Sequence, residues 1–199
     1  MSCRDEVERA LIEAVLTLTP SAEKSDISFF GAVADVSSPL PRRYGLDITP
    51  EMVYNIRKST VFRGVLLFSD VWEGGGFLNF NLSPEVWELI ADEAISLQTS
   101  YEPDDPIELS PDPALVRAML LDAAHESKGE GVFPPSDPVI SRAFRFCLMA
   151  DSLSRRSLAA RAAYEAISLH RRNKALGNTA GVISKKAALA MAAALNQDH

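Results

Sequence analysis

The sequence predicts an α+β protein, because its strand-type and helix-type patterns are unevenly distributed along the chain. Alternating or β-branched apolar runs occur only before residue 83, whereas helical periodicity continues to the end of the 199-residue chain. A segment with four prolines, Tyr101 to Pro113, separates the two regions. We therefore expect an N-terminal α+β domain with antiparallel strands (1–98), a proline-rich linker (99–112) and an all-helical bundle (113–199).

The elements of the first region follow from periodicity and from helix-start signals. Apolar residues at helical spacing predict an opening helix from about Val7, with its buried face formed by Val7, Leu11, Ala14, Val15 and Leu18. Residues 26–33 have strand character and are bounded by Ser37-Ser38-Pro39. Thr49-Pro50-Glu51 combines an N-cap, a proline at the first helical position and an early acid, which predicts a helix over 50–59.

A second β-type run, 61–69, follows this helix, and Ser83-Pro84-Glu85 repeats the helix-start signature. The helix that begins there has an apolar stripe composed of Val86, Leu89, Ile90, Ala94 and Leu97. Beyond the linker, periodicity predicts helices at about 113–126, 138–153, 154–172 and 181–197.

Charge is distributed unequally within a net charge of −7. Residues 1–111 contain 19 acids and 8 bases, whereas residues 138–199 contain 3 acids and 10 bases. The C-terminal helices are therefore basic, which favours an anionic partner.

The sequence lacks the patterns of several functional classes. Cys3 and Cys147 are far apart and have no metal-type spacing, and His125, His170 and His199 are scattered, so we expect no metal site, no cofactor and no disulfide framework. No catalytic constellation is recognisable, and we expect a protein that is not an enzyme. The opening residues resemble neither a signal peptide nor a membrane span, which predicts a cytoplasmic protein without a membrane partner.

Three consecutive glycines, Gly74 to Gly76, precede the alternating run Phe77 to Leu82. Phosphate loops require a helix after the glycines, but a strand pattern follows here, so a hairpin from the strand near 65–69 is the simpler interpretation. Alternation directs Leu78, Phe80 and Leu82 to the core, and Phe77, Asn79 and Asn81 to solvent. Such a face is either an ordinary polar surface or a platform on which an aromatic ring stacks with a base and an asparagine reads its edge.

The run Gly76-Phe77-Leu78-Asn79-Phe80-Asn81-Leu82-Ser83 resembles the GxGFxNFxL motif of the additional N-terminal domain of arginyl-tRNA synthetases. The resemblance covers residues 1–98 and is specific over about ten of them. It implies an α+β domain that contacts the D-loop at the tRNA elbow, with Phe77 and Asn79 at the positions that contact a base. The helical C-terminal part is similar in class and position to the synthetase anticodon-binding domain. No HxGH-type or KMSK-type signature is present, so aminoacylation is not expected.

The resemblance and the basic helices together predict a non-catalytic protein that binds tRNA or another structured RNA. Its predicted RNA contacts are Phe77, Asn79, Asn81, Arg155, Arg156, Arg171 and Arg172. Two alternatives remain for the basic residues: the solvated outer face of a bundle, or a surface that docks on the acidic N-terminal half. The alternative function is a protein–protein adaptor that kept the fold but lost RNA binding.

Overall fold

A computed structural model of the chain describes residues 3–29, 34–97, 112–150, 153–179 and 181–196. It confirms the α+β class, with a small antiparallel sheet and helices in the first part and helices in the second. The chain divides into two compact units, Met1–Leu89 and Ile90–His199, called here the N-terminal and C-terminal units. The division falls before the predicted domain end at residue 98, and the predicted linker 99–112 lies outside the described residues except for Asp112.

Two antiparallel sheets form the β part of the N-terminal unit. The larger contains β1 (Ser28–Phe29), β2 (Val36–Ser38), β5 (Phe68–Gly74) and β6 (Phe77–Leu82), in the spatial order β1-β2-β6-β5. The smaller is a hairpin of β3 (Val61–Phe62) and β4 (Val65–Leu66). In the register of the larger sheet, β6 is the central strand that pairs Asn79 with Ser37 on one side and with Trp72 on the other.

In the described part of the chain, the helices that precede residue 98 are α1 (Cys3–Leu16), α2 (Leu40–Tyr44), α3 (Pro50–Ser59) and α4 (Pro84–Leu97). Helix α4 begins in the N-terminal unit and ends in the C-terminal unit, because the division follows Leu89. The predicted bounds of α3 are confirmed, and the Thr49 hydroxyl accepts a hydrogen bond from the backbone N–H of Met52 at 3.3 Å. Helix α2 lies beside β6, and α3 packs against β5. The short α2 was not predicted, because five residues are too few to show a period.

Two strand predictions were wrong in detail. Residues 26–33 do not form one strand, since Asp26 belongs to a 3₁₀ turn, β1 covers only two residues and 30–33 lie outside the described part. Ser37 and Ser38, taken as a boundary, belong to β2. The run 61–69 divides into β3, β4 and the start of β5, because Arg63 and Gly64 turn the chain with φ of 46° and 86°.

The core of the N-terminal unit lies on one face of the larger sheet. Leu78, Phe80 and Leu82 are at most 3% exposed, as alternation predicted, and the Phe68 and Phe80 ring centroids lie 5.0 Å apart. The predicted buried face of α1 is confirmed for Val7, Leu11, Ala14 and Val15. On α4, by contrast, Leu97 is 57% exposed and does not continue the buried stripe.

The C-terminal unit contains α5 (Pro113–Glu126), α6 (Pro138–Met149), α7 (Leu153–Ala175) and α8 (Lys185–Leu195). Side-chain caps at Asp112, Asp137 and Ser184 begin three of these helices. The predicted bounds of α5 are confirmed, whereas α6 ends earlier than predicted, α7 ends later and α8 begins later.

Helix α8 is the central helix of this bundle and packs on α5 and α6. From Ala187 onward it is buried on nearly every side, as its alanine-rich sequence allows. Helix α7 packs on α5 and α6 through one face, which leaves its opposite face as outer surface of the unit. In the described part of the chain, no helix is long and apolar enough to cross a membrane.

Candidate nucleic-acid interface

The glycine-rich segment is a two-residue hairpin turn, as predicted. Gly75 and Gly76 have φ of 64° and 81°, the positive values that this tight turn requires, while Gly74 already belongs to β5. The Gly76 N–H donates to the Glu73 carboxylate at 3.0 Å, which closes the turn. Phe77 begins β6 directly after the turn and is 37% exposed. The glycines therefore serve to present Phe77 at the tip of a hairpin.

The expectation that Asn79 faces solvent was wrong. Its side chain is on the predicted face, but the residue is only 3% exposed. Its Oδ1 accepts a hydrogen bond from the Ser37 hydroxyl at 2.8 Å, and its Nδ2 donates to the Phe77 carbonyl at 3.4 Å. The physical reason is the central position of β6, since β2 and β5 cover Asn79 from both sides. Asn79 thus connects β6 to β2.

Asn81 also makes an internal contact. It is half-buried, and its Oδ1 accepts a hydrogen bond from the Asp35 N–H at 3.2 Å. The Asp35 carboxylate in turn accepts a hydrogen bond from the Leu82 N–H at 2.9 Å. Of the three residues predicted to form a platform, Phe77 is therefore the one that is exposed.

The second predicted surface is on α7. Arg171 and Arg172 are exposed, Arg156 is half-buried, and Arg155 lies in the first turn with its side chain outside the described part. The exposed positions of α7 fall within a sector of roughly 140° on a helix with 100° per residue. Its members are Leu158, Arg161, Tyr164, Glu165, Ser168, Arg171, Arg172 and Ala175. We call this sector the α7 face.

The arginines of the α7 face are not neutralised by neighbouring acidic side chains in the described part of the chain. Glu165, the only acid in the helix sequence, is paired with Arg142 of α6 at 2.8 Å. Among the described residues, no acidic side chain pairs with Arg161, Arg171 or Arg172. Fixed positive charges that lack internal counter-ions attract an external polyanion, and the attraction extends over about a Debye length.

Tyr164 places an aromatic ring within this basic surface. It is 44% exposed and lies between Arg161 and Arg171, which are separated by about 15 Å along the helix axis. The sequence prediction did not select Arg161 or Tyr164 as contacts. Tyr164, Ser168 and Arg171 follow Arg161 by three, seven and ten residues, which is the spacing of one helical face. This pattern in the sequence is the signal that could have identified the α7 face.

Two lysines of the C-terminal unit are already engaged in contacts within that unit. Lys174 donates to the Glu126 carbonyl at 2.8 Å, and Lys186 pairs with Asp92 at 2.9 Å and lies 4.8 Å from the Phe133 ring centroid. These contacts hold helices of the unit together. The number of Lys and Arg residues in the last 62 positions is therefore larger than the number of positive charges available to a partner. The available charges are concentrated on α7.

The described residues offer little that suggests catalysis. In the described ranges, no group of three or more His, Cys, Asp or Glu residues is arranged to hold a metal ion. Both cysteines are free thiols with at most 2% exposure, and burial raises the pKa of Cys147. His170 is 1% exposed and its Nδ1 accepts a hydrogen bond from the Ile183 N–H at 3.1 Å, so it is a core residue.

Comparisons with known proteins do not assign this chain to a family. No protein-family model matches it, and searches of curated proteins and of solved structures found no match.

Proposed function

We propose that the protein binds tRNA or another structured RNA in the cytoplasm without catalysing a reaction on it. The observation that carries the proposal is the α7 face, where three exposed arginines have no acidic partner among the described residues. Arginine side chains on one helical face can contact successive phosphates of an RNA backbone, and each contact releases condensed counterions. Tyr164 would add stacking on an unpaired base at the same surface.

The N-terminal unit supports the same function through Phe77. The hairpin exposes this ring at the position where the resemblance to arginyl-tRNA synthetases implies a base contact. In our proposal Phe77 touches the base, while Asn79 and Asn81 hold β6 in place through their hydrogen bonds to Ser37 and Asp35. The roles of the two asparagines thus become structural.

Gel-shift titration with bulk tRNA at low salt tests the proposal. We expect a shifted complex with the full-length protein, and weaker binding by the double variant Arg161→Gln/Arg171→Gln. The matched control is Arg9→Gln/Lys58→Gln, which removes the same charge from exposed positions of the N-terminal unit. Absence of a complex at low salt, or equal loss in both double variants, would overturn the proposal.

The adaptor alternative is favoured by one observation in the N-terminal unit. Val61 and Leu66 are cross-strand partners in the β3–β4 hairpin, yet they are 57% and 39% exposed. Contiguous exposed apolar surface is a feature of protein interfaces. If tRNA does not bind at low salt while Val61→Ser abolishes capture of a defined protein partner, the adaptor function replaces RNA binding.

A further inference from the structure

The Gly75-Gly76 turn contacts Arg42 of α2 and directly precedes the exposed residue Phe77 of β6. The Arg42 N–H donates to the Gly76 carbonyl at 3.2 Å. A Cβ built at Gly76 would lie 3.2 Å from Arg42 Cβ and 3.7 Å from Arg42 Cδ, so the aliphatic stem of Arg42 lies along Gly76. Because Phe77 is the next residue, the aliphatic stem of Arg42 lies beside the turn from which the Phe77 chain position continues into β6.

Arg42 is also electrostatically available. It is exposed, and no acidic side chain in the described part of the chain pairs with it. The neighbouring Arg43 differs, since it is bound to the buried Asp26 carboxylate. Three more arginines of this unit likewise pair with acids: Arg9 with Glu13, Arg57 with Asp70, and Arg63 with Glu6.

A second aromatic side chain borders the same surface. Trp72 pairs with Asn79 in the register and Gly74 pairs with Phe77, so the two rings are diagonal neighbours on one face of the sheet. A Cβ built at Gly74 would lie 3.7 Å from Trp72 Cδ1, in ordinary contact. Glycine at this position therefore leaves the surface beside Phe77 and Trp72 without a side chain.

We infer that Arg42, Phe77 and Trp72 form a binding site for an unpaired nucleotide of the RNA. The base stacks on Phe77 beside Trp72, and a phosphate of the same segment pairs with the Arg42 guanidinium. A paired base cannot use this site, because both of its faces are covered within the duplex. The inference rests on RNA being the ligand of the protein, and it adds that the N-terminal unit selects loops or single strands.

The charge of Glu73 allows the proposed position of the phosphate to be tested. Its carboxylate accepts the Gly76 N–H at 3.0 Å beside the same turn, and its charge opposes a phosphate there. Glu73→Gln keeps a side-chain oxygen for this hydrogen bond and removes the charge. Removal of the charge should therefore strengthen binding, whereas Arg42→Gln should weaken it.

The experiment compares two RNA probes by fluorescence anisotropy with the full-length protein at low salt. One probe is a single-stranded oligouridylate of about twelve nucleotides, within the site size of common single-strand binders, and the other is a duplex of equal length. We expect Phe77→Leu and Arg42→Gln each to weaken oligouridylate binding roughly 10-fold and to leave duplex binding unchanged. Arg9→Gln, which removes an exposed arginine that is paired with Glu13, should change neither, and Glu73→Gln should tighten oligouridylate binding.

The outcomes separate this inference from the proposed function. If Phe77→Leu and Arg42→Gln bind oligouridylate like the wild type while Arg161→Gln/Arg171→Gln loses affinity for tRNA, the nucleotide site is refuted and RNA binding stands. If the wild type binds neither probe nor tRNA, both are refuted. Urea unfolding followed by tryptophan fluorescence confirms that each variant is folded, because Trp72 and Trp87 both belong to the N-terminal unit.

Discussion

Replacing Asn79 with alanine distinguishes a structural role for this residue from direct contact with RNA. The substitution removes the acceptor of the Ser37 hydroxyl, a 2.8 Å hydrogen bond, at a position that is 3% exposed. A net hydrogen bond contributes about 0.5–1.5 kcal/mol, and a polar group left without a partner in a buried environment adds to the loss. We therefore expect Asn79→Ala to lower the free energy of unfolding by about 1–3 kcal/mol.

The assay is urea unfolding monitored by tryptophan fluorescence, which reports the N-terminal unit through Trp72 and Trp87. A double-mutant cycle with Ser37→Ala isolates the pair. The two substitutions should be less damaging together than the sum of their separate effects, with a coupling of about 1 kcal/mol. Additive effects, or a loss below about 0.5 kcal/mol for Asn79→Ala, would show that the hydrogen bond does not stabilise the sheet.

Binding measured on the same variant completes the test. Under conditions where Asn79→Ala is fully folded, we expect its affinity for tRNA to equal that of the wild type. If the affinity falls while the free energy of unfolding does not, Asn79 contacts RNA as the sequence predicted, and its assignment as a structural residue is refuted.

Three further predictions concern stability. Burial alone raises the pKa of Asp26, but hydrogen bonds from the Glu23 N–H, Tyr44 and Arg43 outweigh it and hold the pKa below its ordinary value. Asp26→Asn should therefore lower the urea midpoint at pH 7, and the difference from wild type should shrink as the pH falls through the native pKa. Burial, and then the nearby Lys174, lower the pKa of His170, so the unfolded state binds its proton more tightly. The urea midpoint should consequently decline below about pH 6.5, and this decline should be smaller in His170→Gln. A Cβ at Gly131 would lie 2.6 Å from the Val182 carbonyl oxygen, whereas one at Gly177 would meet nothing within 4 Å. Since both glycines have positive φ, Gly177→Ala should cost about 1–2 kcal/mol in circular-dichroism unfolding, and Gly131→Ala should cost clearly more.

Local signals in the sequence were sufficient for much of the fold. The cap at Thr49 and the proline after it predicted the start of α3 correctly, because the signal and the structure both involve adjacent positions. The glycine pair likewise determined the hairpin. The strands β1 to β4 were predicted poorly, since each is only two or three residues long, too short to show an alternating pattern.

The candidate site was predictable only in part, because it depends on contacts between residues that are distant in the sequence. Alternation assigned Asn79 to the correct face, but its burial depends on β2 and β5 on either side, which no local pattern reveals. Arg42 lies 35 positions before Phe77 in the sequence, and only the fold brings it to the Gly75-Gly76 turn. The sequence could not show which basic residues of the C-terminal unit lack an acidic partner. That distinction depends on ion pairs, which are side-chain contacts between different helices.

The salt dependence of tRNA binding tests the central claim most directly. The logarithm of the affinity should fall linearly with the logarithm of salt concentration, with a slope of roughly −0.7 to −0.9 for each phosphate contact. Arg161→Gln/Arg171→Gln should make this slope shallower by about 1.4–1.8, whereas Arg9→Gln/Lys58→Gln should leave it unchanged. An identical slope in the wild type and the α7 variant would contradict the account, because the α7 face would then make no contact with phosphates.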